Sequence, residues 1–157
     1  SILEEFYSFL EYDAFKSLEE TRLYLNTLID RSLSPNSQYW FIKLKSEEKV
    51  VGTIGLHSLD VSKLSVEVGY GLSPKFQGRG VFSISLNLII NHAFHNLGLN
   101  RIAARTDSRN KASIKGLLRN GFFYEGLLRS YYRSVKGHYS DCSIYSLLSS
   151  DHDRGDD

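Results

Sequence analysis

LSVEVGYGLSPKFQGRGVFS, residues 64–83, runs from an alternating strand through a glycine-containing loop into a helix. Gly69 and Gly71 flank Tyr70 near the strand's end, where glycines suggest a bulge or a ligand approaching the backbone closely. Gln77, Gly78, Arg79 and Gly80 stand just before or at the helix start. Glycines there let backbone N–H groups approach a ligand, and the helix N-terminus adds roughly half a positive charge. The combination reads as a phosphate or pyrophosphate site, or else as a tight strand–helix turn with no ligand. Two nucleotide-binding patterns fail on spelling. No G-x-x-x-x-G-K-[ST] string occurs, and Ser83 stands where the third glycine of G-x-G-x-x-G belongs.

Upstream of this stretch, Tyr39–Lys45 and Val50–Leu59 alternate and are joined by polar turns, so with Leu64–Leu72 they form an antiparallel meander. Before them, Ile2, Leu3, Phe6, Phe9 and Leu10 recur at helical spacing, and Ser17 to Glu20 is a capping box opening a second helix to about Asp30. Downstream, the helix after Gly80 runs to about Asn96 and stops at Gly98. It is apolar on nearly every side, which predicts burial. Arg101–Thr106 is a strand. Asn110 caps a short helix that Asn120 and Gly121 end. Phe122–Tyr132 is a strand bent at Gly126, and Asp141–Leu148 is the last strand. Leu64 to Thr106 is then a right-handed parallel crossover. The fold class is α+β: one domain over residues 1–148, with a mixed, mostly antiparallel twisted sheet flanked by helices. Residues 149–157 carry four Asp and read as a frayed acidic tail.

Composition narrows the function. The chain has 157 residues, 19 Lys plus Arg against 18 Asp plus Glu, and a net charge of +1. That balance excludes nucleic-acid binding by bulk charge. One cysteine, Cys142, excludes an internal disulfide and a Cys-based zinc knuckle, and reads as a small buried residue. No stretch is long and apolar enough to span a membrane, and Glu4 and Glu5 occupy the place of a basic signal-peptide region. The expected compartment is the cytoplasm. The absence of Met implies that the chain does not begin where its gene begins.

Glu67 to Gly80 resembles the acyl-CoA-binding signature of the GNAT superfamily of N-acetyltransferases. The family pattern Gln/Arg-x-x-Gly-x-Gly/Ala reads here Gln77-x-x-Gly80-x-Phe82. Asn110 and Ser113, then Leu117 to Phe122 and Glu125-Gly126, are similar to the family's second cofactor segment. Tyr131–Leu148 resembles the closing hairpin of the RimJ/RimL-type branch, which acetylates N-termini of ribosomal proteins. Two departures stand out. Phe82 replaces a small residue, so its ring either narrows the pyrophosphate cradle or points into the core. The family's first strand, expected before the first helix, is missing from this chain.

The resemblance implies direct acetyl transfer from acetyl-CoA to a primary amine, most naturally a protein or peptide α-amine. A small-molecule amine acceptor and a non-catalytic CoA-binding module are the alternatives. It implies no metal, no nucleic-acid or membrane partner, and a monomer or homodimer. Tyr70, Gly71 and Leu72 would meet the acetyl and pantetheine groups through backbone groups, with Leu72 N–H as oxyanion donor. Gln77, Gly78, Arg79, Gly80, Val81, Phe82 and Ser83 would hold the pyrophosphate, and Asn110 and Ser113 would face the pantetheine and sulfur. Glu67 is the candidate general base, or else an ordinary strand carboxylate paired with Lys or Arg. Ser113 is the candidate acid, or else a helix-cap hydroxyl in the first turn, with Tyr131 or Tyr132 as rival acids. His57 faces either solvent or the acceptor cleft, and Trp40 reads as core.

Overall fold

The computed structural model describes residues 36–44, 49–76, 78 and 80–155. The two helices expected before residue 31, and the strand expected before them, fall outside these residues. The described chain runs β1 (Gln38–Leu44), β2 (Lys49–Asp60), β3 (Ser65–Leu72), α1 (Val81–Asn91), β4 (Arg101–Asp107), α2 (Lys111–Arg119), β5 (Phe123–Arg133), β6 (Tyr139–Leu148) and α3 (Ser149–Gly155). The strands form a six-stranded sheet in the order β1-β2-β3-β4-β6-β5. Among the described strands only the adjacent β3–β4 pair is parallel; α1 makes the crossover between them, while the crossover through α2 carries β5 past β4 to the far side of β6. The mixed, mostly antiparallel sheet expected from the sequence is present.

Alternation in the strands sets the core. Ile54, Leu56, Val66, Val68, Ile102, Ala104 and Leu147 share one sheet face and are buried with Leu86, Ile89 and Ile90 of α1. Each Val, Leu or Ile among them, fully buried, stabilises the fold by roughly 1.5–3 kcal/mol. Beyond Asn91 the helix loosens into a π-turn over His92–Asn96, which closes at Gly98 with φ 65°. A second, smaller cluster joins Val51, Phe76 and Val81 with Leu72. It anchors the loop between β3 and α1.

Three expectations are corrected here. α1 is not buried all round: Ile84 and Leu88 are 65% and 67% exposed, because the sheet covers only one side of the helix. Trp40 is 38% exposed rather than core. It lies on β1, outermost on its side of the described strands, edge-on to His92 at 5.4 Å. The frayed tail is, as far as Gly155, a short helix. Asp151 accepts the Leu148 N–H at 3.1 Å, Ser149 N–H donates to Asn100 O at 2.9 Å, and His152 Nε2 donates to Asn91 Oδ1 at 2.9 Å. Those bonds tie the acidic segment to the end of the sheet and to α1.

The position of the site follows from one irregularity. β3 and β4 pair only from Ser65↔Arg101 to Val68↔Ala104. Beyond Val68, β3 stays with β2 as far as Leu72↔Gly52, while β4 stays with β6 as far as Asp107↔Cys142. The two strands therefore part, and an opening is left in the middle of the sheet.

Candidate active site

The opening leads into a cleft of about 560 Å³. Three elements wall it: the end of β3 (Tyr70, Gly71, Leu72), the start of α1 (Gly78, Gly80, Phe82, Ser83) and α2 (Asn110, Ser113, Gly116). Nine of the residues expected around a cofactor thus meet in one place. Gln77 and Arg79 lie outside the described residues. Val81 does not line the cleft with its side chain, which is buried against Val51 and Phe76, so only its backbone can contribute there.

Backbone geometry makes the cleft receptive to anions. Gly78 and Gly80 adopt φ 75° and 78°, a region costly for any residue with a Cβ. A Cβ at either would meet nothing within 4 Å, so conformation and not space selects glycine. Gly80 is the N-cap of α1 and no side chain caps that end. The first N–H groups of the helix have no intrahelical acceptor, and they sit beside the cleft with the positive end of the helix dipole. Lys115 and Arg119, one turn apart on α2, add two cations to the lining.

Strand geometry supplies one further donor. Ser73 N–H donates to Val51 O at 2.8 Å on the β2 side. Peptide groups alternate sides along a strand, so Leu72 N–H looks away from β2 into the opening. Its side chain packs in the small cluster with Phe76, which holds that backbone in place. The glycines of β3 mark no bulge, since Gly69 and Gly71 pair in register with Gly55 and Thr53. A Cβ at Gly69 would lie 2.9 Å from the Tyr39 hydroxyl and 3.3 Å from the His57 ring.

Tyr70 carries a feature that was not expected of its side chain. Val66, Val68, Tyr70 and Leu72 share a face by alternation, which directs the Tyr70 ring toward the helices. Its hydroxyl hydrogen-bonds Ser113 Oγ, and its ring stands edge-on to Phe82 with centroids 4.7 Å apart. Burial pushes the Tyr70 hydroxyl up to about 12, against the opposing pull of Ser113. Ser113 is not itself the helix cap: Asn110 Oδ1 accepts the Ser113 N–H at 3.1 Å, leaving the Ser113 hydroxyl for Tyr70 and the cleft. Phe82 resolves both of its options at once, packing against the core and lining the cleft. Asn120 Nδ2 donates to Ser83 Oγ at 3.2 Å and to Gly116 O at 2.7 Å, tying the start of α1 to α2.

Glu67 and Tyr132 do not line this cleft. Glu67 lies one position before the last β3–β4 pair, on the sheet face opposite Tyr70. Its carboxylate is 3.8 Å from Arg105 Nε and 4.0 Å from His57 Nε2. The Arg105 guanidinium also donates to Tyr131 Oη at 3.0 Å. Burial works against its charge, but Glu67 and Tyr131 outweigh that and raise its pKa. Burial first, then Cys142, pushes the Tyr132 hydroxyl well above the ordinary tyrosine range. His57 is largely covered, not solvent-facing: it stacks on Tyr39 and faces Glu67. Cys142 is fully buried, as expected. Arg105, Lys115, Arg119 and the Tyr70 hydroxyl were not anticipated. Parity along β3 was the available signal for Tyr70, and the four-residue spacing on α2 for the two cations. Among the described residues, no group of three or more His, Cys, Asp or Glu could hold a metal ion, and no helix is long and apolar enough to cross a membrane.

Known proteins resemble this chain in sequence and fold. A curated relative described as an uncharacterized N-acetyltransferase, p20 of Bacillus licheniformis, is 32% identical over 89% of this chain and 78% of its own. The spermidine N(1)-acetyltransferase of Vibrio cholerae is 23% identical over 88% and 76%. The crystal structure of the ribosomal-protein-S5-alanine acetyltransferase of Vibrio fischeri superposes with a TM-score of 0.70 at 27% identity, covering 86% of this chain and 74% of that one. The profile of the acetyltransferase (GNAT) domain matches residues 4–123. The parted strands, the glycine-capped helix and these likenesses agree, and the chain belongs to the GNAT acetyltransferase family as an acetyl-CoA-dependent N-acyltransferase.

Proposed function

We propose that the protein acetylates the α-amino group of a protein or peptide N-terminus. The observation that carries this reading is Arg105 beside Glu67. A polyamine needs acidic walls, whereas among the described residues Glu67, on β3 just before the strands part, has a guanidinium and an imidazole within 4.0 Å. One amine beside an uncharged peptide backbone suits such a mixed wall. The spermidine acetyltransferase relative supports the competing reading, a polyamine or other small-molecule acceptor.

The cleft fits acetyl-CoA: it combines uncapped helix N–H groups and two cations with a narrow strand opening. When bound, acetyl-CoA supplies a thioester carbonyl open to attack and a thiolate leaving group. Gly78, Gly80 and the N–H groups of Val81, Phe82 and Ser83 hold the pyrophosphate, together with Gln77 and Arg79 of the same loop. Tyr70 and Gly71 flank the pantetheine arm from β3. Leu72 N–H stabilises the charge that develops on the carbonyl oxygen. Glu67 takes a proton from the incoming ammonium through water, Asn110 and Ser113 face the pantetheine and sulfur, and Ser113 protonates the thiolate. Tyr132, whose hydroxyl burial keeps protonated, is the rival acid.

The test is a free-thiol assay with acetyl-CoA and three acceptors: a peptide with a free N-terminus, the same peptide blocked there but carrying lysine, and spermidine. Turnover of the first alone is the expected result. Preference for spermidine would establish the small-molecule reading. Acetyl-CoA binding heat without turnover of any amine would mark a binding module.

A further inference from the structure

The cleft holds a large-and-small pair whose partners lie on different helices. The Phe82 ring reaches from α1 to α2 and lies over Gly116. A Cβ at Gly116 would stand 2.5 Å from Phe82 Cε1 and 2.7 Å from Cδ1. Gly116 has no positive φ to explain it, so room for the ring is what position 116 provides. The ring's other contact is Tyr70, edge-on at 4.7 Å, and Tyr70 in turn hydrogen-bonds Ser113 Oγ.

We propose that Tyr70 is a positioning residue for the Ser113 hydroxyl, and that Phe82 seated on Gly116 holds Tyr70 in that role. This deepens the acetyl-transfer reading above and rests on it. A serine hydroxyl has one hydrogen and two lone pairs. Tyr70, the more acidic hydroxyl, donates to Ser113 Oγ and occupies one lone pair, so the Ser113 hydrogen stays free for the cleft. Asn110 fixes the serine backbone through its N–H at 3.1 Å. Burial keeps Tyr70 protonated far above neutrality, so it remains a donor throughout the working range. The proton count closes. The ammonium loses two protons as the amide forms: one reaches solvent through Glu67, and the other replaces the proton that Ser113 gives to sulfur. The C–S bond breaks, the C–N bond forms, and Tyr70 keeps its own proton.

The experiment compares the wild type with Tyr70→Phe, Ser113→Ala and the double variant, measuring kcat, the KM for acetyl-CoA and acetyl-CoA binding heat. Tyr70→Phe keeps the ring against Phe82 and removes only the hydroxyl. It is expected to lower kcat about tenfold, the rate equivalent of one lost hydrogen bond, with KM and binding unchanged. The double variant is expected to be no slower than Ser113→Ala, because Tyr70 acts through Ser113. Phe82→Leu, which withdraws the ring edge, is expected to lower kcat by a smaller factor in the Tyr70→Phe background than in the wild type, because part of its effect passes through the Tyr70 hydroxyl. Full kcat in Tyr70→Phe, or losses that multiply in the double variant, would overturn the proposal while leaving acetyl transfer intact. A wild type that neither binds acetyl-CoA nor turns over any amine would remove the underlying reading instead.

Discussion

Glu67 is held at 3.8 Å from Arg105 Nε and 4.0 Å from His57 Nε2. Both partners, on the strands either side of β3, lie on the same carboxylate oxygen. A base so placed works by removing the ammonium proton before attack. Glu67→Gln should therefore lower kcat by about 100-fold near neutral pH. The deficit should shrink as pH rises, because the acceptor then loses its proton to solvent unaided. A pH–rate profile of both proteins checks this. An equal deficit at every pH would make Glu67 a structural partner of Arg105 and no more.

At the scale of elements, α1 and α2 present their starts to the same cleft but end differently. α1 opens on Gly80 with no side-chain cap, which leaves its N–H groups for an anion. α2 is closed by Asn110, whose side chain takes the Ser113 N–H at 3.1 Å. The difference suits α1 to anion binding and α2 to rigid placement of a hydroxyl. Asn110→Ala should destabilise the protein by about 0.5–2 kcal/mol, read as a lower urea midpoint with an unchanged slope. Asn110 and Gly121 were legible as cap and stop from residue type alone, because capping is local chemistry. The exposure of Ile84 and Leu88 was not, because helix composition does not reveal how much of the helix a sheet will cover.

Across the whole molecule, burial raises the hydroxyls of Tyr70, Tyr132 and Tyr145 above their ordinary value of 10. The folded protein then binds more protons than the unfolded chain above about pH 10. The contribution of these hydroxyls to stability should be constant below that pH and fall as pH rises toward the folded-state value of about 12 for Tyr70, by about 1.4 kcal/mol per pH unit for each proton in excess. Urea unfolding between pH 9 and 12 measures the slope, and Tyr70→Phe should lessen it. These hydroxyls are protected because strands and helices from both halves of the described chain enclose them, which no single segment could signal. By itself the sequence determined the order of strands and helices from β1 to β6, the parallel crossover, the glycine loop at the start of α1 and the family. All of these are written in periodicity, caps and turns between near neighbours. Only the tertiary structure decided where β3 and β4 part, that Glu67 and Ser113 lie on opposite sheet faces, and that Tyr70 reaches Ser113 forty-three residues away. Such contacts depend on register and twist summed over several strands, and local chemistry constrains those too weakly to read in advance.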